Sequence, residues 1–78
     1  MKEFWQKKLE IAEEVRQLTK EGALAKLERI TEHSHLYNID ELSSNLKIIA
    51  AALDSAAKDV QFSEDKLRGI IAEEQKAE

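Results

Sequence analysis

Ile39, Leu42, Leu46, Ile49, Leu53, Ala56 and Val60 follow one another at alternating steps of three and four residues. Over three heptads that spacing keeps an apolar stripe on one side of a helix, where it packs at a shallow angle on another helix. The rest of the chain agrees. Ala, Leu, Glu and Lys dominate, proline is absent, and only Gly22 and Gly69 weaken helix propensity. Strand alternation and Asn-Gly or Asp-Gly hairpin signals are both missing. The sequence therefore predicts an all-α fold.

A first helix is predicted over about residues 2–33, and it carries two stripes. Phe4, Ile11, Val15, Leu18 and Gly22 lie on one side; Trp5, Leu9, Ala12, Ala23, Leu27 and Ile30 lie on another. The weight passes from the first stripe to the second near Gly22, the place where this helix would bend or break. No Ser, Thr, Asp or Asn follows Gly22 to cap a new helix, which favours one continuous helix. Residues 33–38 read as a turn, and Asn38 with Glu41 three residues on resembles a capping box. A second helix is predicted over 39–61. A short third helix is predicted over 63–75, with Ser63 as its cap and Phe62 and Leu67 placed as a hydrophobic staple.

The expected architecture is an antiparallel helical hairpin of two long helices, with the short C-terminal helix folded back over it. The whole would be three- or four-helix bundle-like, one small domain over 1–78. At 1.5 Å per residue the first arm would span ~48 Å and the second ~33 Å, so the first would overhang.

Composition narrows the function classes. With no cysteine and no proline, the chain is neither a disulfide scaffold nor a Cys-based zinc module nor a proline-rich fibre. No run approaches the ~18–20 apolar residues of a membrane-spanning helix. Twenty-two positions carry Leu, Ile, Val, Phe, Tyr or Trp, well above the signature of a disordered chain. The start, Met1-Lys2-Glu3-Phe4-Trp5-Gln6-Lys7, lacks the apolar core of a signal peptide, and with no cysteine the expected setting is cytoplasmic.

The charge is acidic, net -4. Residues 1–35 hold seven basic and seven acidic side chains, and residues 36–78 five against nine. A nucleic-acid binder needs cations to displace phosphate counterions, so this balance argues against one. A helix-turn-helix laid over residues 39–55 fails for a second reason. Its recognition helix, Ile49-Ala50-Ala51-Ala52-Leu53-Asp54-Ser55, offers base edges no Arg, Lys, Asn or Gln. Phe4, Trp5, Lys7 and Lys8 could lie on a membrane surface, but Glu3, Glu10, Glu13 and Glu14 share the segment and oppose anionic lipid.

Chemistry finds little purchase. His33 and His35 in the turn supply two imidazoles, where a metal site needs three or four converging ligands. Ser34 stands between them without the enclosed, oriented base that a nucleophile requires. Neither a nucleophile elbow nor a glycine-rich phosphate loop is present. The reading is no enzyme, no catalytic residue, no metal and no cofactor.

What remains is apolar surface at several angles on a small charged chain. A lone core of this size contributes only ~3–5 kcal/mol, and oligomerisation is a common supplement. The expectation is a helical protein–protein interaction module, forming a homodimer or binding another protein, with Trp5, Leu9, Ile48 and Ala52 contributing to the interface. The alternative is a dimeric nucleic-acid-associated regulator that pools Lys7, Lys8, Lys20 and Lys26.

Overall fold

The computed structural model describes residues 1–77. It consists of α1 (Lys2–Glu32), a single 3₁₀ turn (Ser34–Leu36) and α2 (Ile39–Ala77). Among the described residues there is no strand. The molecule measures 63 × 18 × 12 Å, one helix diameter thick and two wide.

The link between the helices is short because both of its ends are satisfied locally. The His33 N–H donates to the Arg29 carbonyl at 3.1 Å and closes α1. Leu36 and Tyr37 then donate to His33 and Ser34 at 2.9 and 3.2 Å, giving the 3₁₀ turn. Asn38 opens α2: its Oδ1 accepts the Glu41 N–H at 2.8 Å, and its amide donates to the Glu41 carboxylate at 2.9 Å. Asp40 and Glu41 add negative charge at the positive end of the α2 dipole. Replacing Asn38 by Ala removes both bonds and is expected to cost about 1 kcal/mol, measured as a lower denaturation midpoint at unchanged helix content.

The turn sends α2 back along α1. The Lys2 ammonium lies 3.7 Å from the Glu74 carboxylate, and the Trp5 ring meets Phe62 edge-on at 5.7 Å. The seam between the helices is one layer deep. Its buried residues are Ile30 from α1 and Ile49, Ala56, Val60 and Ser63 from α2. Trp5, Leu9, Ala12, Ala23 and Leu27 are half-buried on the same side of α1 as Ile30. Among the described residues no large side chain is completely enclosed.

The structure decides three expectations. First, the favoured continuous helix holds: α1 runs unbroken through Gly22, whose backbone stays helical. One glycine costs about 1 kcal/mol of propensity, too little to end a helix whose Trp5-to-Ile30 stripe packs on α2 on both sides of it. Second, the short C-terminal helix does not exist as a separate element. α2 continues through Phe62 and Ser63 to Ala77. Ser63 is buried in the seam rather than capping, and Phe62 is exposed rather than forming a staple. The physical reason is register: Ala56, Val60, Ser63, Leu67 and Ile70 prolong the three-four spacing, no Pro stands among them, and Gly69 is alone too weak a breaker to end the helix. Third, α2 is the longer arm, 39 residues against 31, so the overhang belongs to it.

The α2 seam also differs in detail. Leu42 and Leu53 are half-buried, but Leu46 is exposed and Ile39 is 84% exposed. Asn45 takes the inward position at the level of Leu46. The straight helix drifts by ~20° per heptad relative to a strict seven-residue repeat, which carries Ile39 and Leu46, in the first part of the stripe, off the contact line while Ala56 and Val60 stay on it.

Gly69 sits on the solvent side of α2, and a Cβ built there meets nothing within 4 Å. Gly69→Ala is expected to stabilise the chain by about 0.5–1 kcal/mol, seen as a raised denaturation midpoint.

Candidate functional site

A helical step of 100° per residue fixes what each side of the pair presents. On α1, Phe4, Ile11, Val15, Leu18 and Gly22 cluster about 110° away from the buried stripe. All four of the large side chains are exposed, Leu18 most of all at 66%. On α2, Ile48, Ala52, Ser55 and Phe62 cluster at about the same offset from Ile49 and Val60. Ile48 is 59% exposed.

The two clusters lie on one side of the molecule. Gly22, Lys26, Ile48 and Ala52 line one shallow, open groove between the helices. Nearer the open end, Trp5, Lys8, Asp59 and Phe62 line another. Trp5 bridges them, meeting Phe4 edge-on at 5.2 Å and Phe62 at 5.7 Å. The Lys8 ammonium lies over the Phe4 ring at 5.6 Å and that of Lys66 over Phe62 at 5.5 Å, so both cations shield aromatic faces. The result is an apolar face from Phe4 to Gly22 on α1 and from Ile48 to Phe62 on α2, edged by charged side chains.

The opposite side is different. Glu13, Arg16, Gln17, Lys20 and Asp54 surround an open polar groove at its middle. Leu24 and Leu46 are exposed on that side nearer the turn. On the outer side of α2, the Lys58 ammonium lies 2.9 Å from Asp54. That hydrogen bond first, and the negative charge second, hold Lys58 above the ordinary lysine range, so it stays a cation at neutral pH.

The four residues expected at an interface divide. Ile48 and Ala52 are on the apolar face and exposed. Trp5 and Leu9 are half-buried on the side of α1 that carries Ile30, so the second helix uses much of their surface. The α1 residues that do stand on the face are Phe4, Ile11, Val15 and Leu18, the other stripe. Its signal was present. The stripe from Trp5 to Ile30 spans the whole of α1 and matches an α2 seam of similar length, whereas the stripe from Phe4 stops at Gly22. The longer stripe therefore goes to the intramolecular seam and leaves the shorter one unpaired.

Within the protomer, Lys8 and Lys26 border the apolar face, while Lys20 lines the polar groove opposite. His33 and His35 are exposed at the turn. Among the described residues no three His, Cys, Asp or Glu side chains are grouped to hold a metal ion, and no helix is long and apolar enough to cross a membrane.

No family model, curated protein or solved structure matches this chain.

Proposed function

We propose that this chain is a non-catalytic helical interaction module: a two-helix hairpin that self-associates and serves as an adaptor, inhibitor or assembly factor. One observation carries the reading. The chain exposes 6232 Å². A compact monomer of its 8.9 kDa mass exposes roughly 4,800 Å², so about 1,400 Å² is in excess. That excess is larger than the ~800 Å² each partner contributes to a standard protein–protein interface. Phe4, Ile11, Val15, Leu18, Ile48 and Phe62 are all exposed along one side of the molecule, and small monomers rarely leave such an apolar strip in water. A cytoplasmic setting fits a chain without cysteine.

Sedimentation equilibrium of the purified chain over a wide concentration range tests this. The expected mass is that of a dimer at the upper end. Ile48→Glu is expected to keep the helical circular dichroism and to shift the mass towards the monomer. A wild-type chain that stays monomeric and fully helical throughout would defeat the reading. Unfolding of Ile48→Glu would place Ile48 in the core of the protomer instead.

A further inference from the structure

We infer that the occupant of the apolar face is a second copy of this chain. It is seated about a two-fold axis parallel to the helices, so that α1 of each copy lies over α2 of the other and like ends come together. The inference rests on the self-association proposed above and adds the face and the orientation.

Area selects the kind of occupant. The whole side of the molecule that carries the face, 63 Å long and 18 Å wide, projects roughly 1,100 Å² per copy, within reach of the surface excess and above the ~800 Å² of a standard interface. Two such hairpins face to face make a four-helix bundle, in which the thin seam of each becomes one side of a shared core.

Charge selects the orientation. Within about 50° of the centre line of its exposed stripe, α1 carries Lys7, Lys8, Lys26 and Arg29 and no acidic residue. The corresponding strip of α2 carries Glu41, Asp59 and Glu73 against the single base Lys66. Stacking α1 on its own copy would set base against base. Stacking α1 on α2 of the other copy sets base against acid. A two-fold axis parallel to the helices does this and keeps every residue at its own level. Lys8 and Asp59 already share one level, lining the same groove, so Lys8 meets Asp59 of the second copy. Arg29 and Glu41, about equally far from the turn, meet likewise.

Shape agrees with charge. Gly22 lies at the level of Ile48 and Ala52. In this orientation the bulk of Ile48 enters the gap left by Gly22 of the second copy. Leu18 meets the small side chains of Ala51 and Ala52 of the second copy, and Val15 meets Ser55 of the second copy. Large against small at successive levels is what interdigitating layers need.

The chain has no cysteine, so single thiols can be placed at will. Lys8→Cys and Lys26→Cys mark the two ends of the face on the side nearest the axis. With a short bis-maleimide, each variant alone is expected to give a covalent dimer. If neither links alone and only their mixture does, the ends are swapped and the orientation is wrong. Leu18→Glu is expected to keep its helicity and weaken association about tenfold or more, while Leu24→Glu on the other side leaves association unchanged. The reverse result would move the interface to the opposite face and overturn this inference, yet leave self-association standing. A wild-type chain that binds a different protein and never itself would overturn both.

Discussion

Ile49→Asp is expected to leave the chain largely unfolded at 25 °C, with the helical circular dichroism lost and no cooperative thermal transition. Among the described residues Ile49 is one of four buried apolar ones, all of them in the seam between α1 and α2. An aspartate there has no cation within the seam to pair with, since Ile30, Ala56, Val60 and Ser63 are the other buried residues. Burying an unpaired charge costs several kcal/mol, about 3–5 when no partner is present. A lone core in a chain of this size supplies about as much. The two terms are equal in size, so one substitution removes the fold. The matched control is Leu24→Asp, an exposed position on α1, where the cost is expected to stay below about 1 kcal/mol. If Ile49→Asp unfolds no more readily than this control, the seam is not what holds the helices together.

The second large effect concerns concentration. The thermal midpoint of the wild-type chain is expected to rise with protein concentration. An assembly that binds only folded protomers stabilises them by mass action, by about 2.7 kcal/mol when the free partner is a hundredfold above its dissociation constant. Against a protomer held by a one-layer seam, that is a large fraction of the total. For a chain of this length 1 kcal/mol moves the midpoint by roughly 4–8 °C, so a shift over a hundredfold dilution is within easy reach of a calorimeter. Circular dichroism at the dilute end reports whether the protomer keeps its helices once separated. A midpoint that does not move with concentration would mean that the apolar face adds nothing to the stability of the chain by self-association.

The same comparison places the Asn38 and Gly69 substitutions. Both act on helix ends and propensity, away from the seam and the apolar face. Their effects are each near 1 kcal/mol and add to the two above rather than compete with them.

Much of this molecule is decided within a few residues of each position. Helix propensity without proline, the three-four spacing from Ile39 to Val60 and the Asn38–Glu41 cap are local signals, and each was legible in the sequence. They determine the all-helical class, the turn near residues 33–38 and the start of α2, because the hydrogen bonds involved span at most four residues. Ser63 after Phe62 has the same local form as a cap, yet α2 passes straight through it. There the sequence is ambiguous, since a serine can either cap a helix or fill a small gap in a seam. Packing against α1 settles the choice by keeping Ala56, Val60, Ser63 and Leu67 in register.

The pairing of faces is the other matter that only tertiary structure decided. A helical wheel gives the angle between the Phe4 and Trp5 stripes of α1 but not which one meets α2. Trp5 and Leu9 are apolar residues near the start that sequence alone leaves free for an interface, but α2 half-buries that side. Phe4, Ile11, Val15 and Leu18 are left in the open for the same reason. Two helices share one seam, a seam accepts one stripe from each, and the stripe that lasts the length of the partner buries more area. Residue order alone makes this chain form helices with more apolar surface than one seam can hide. Which surface stays open follows from how the two helices lie against each other.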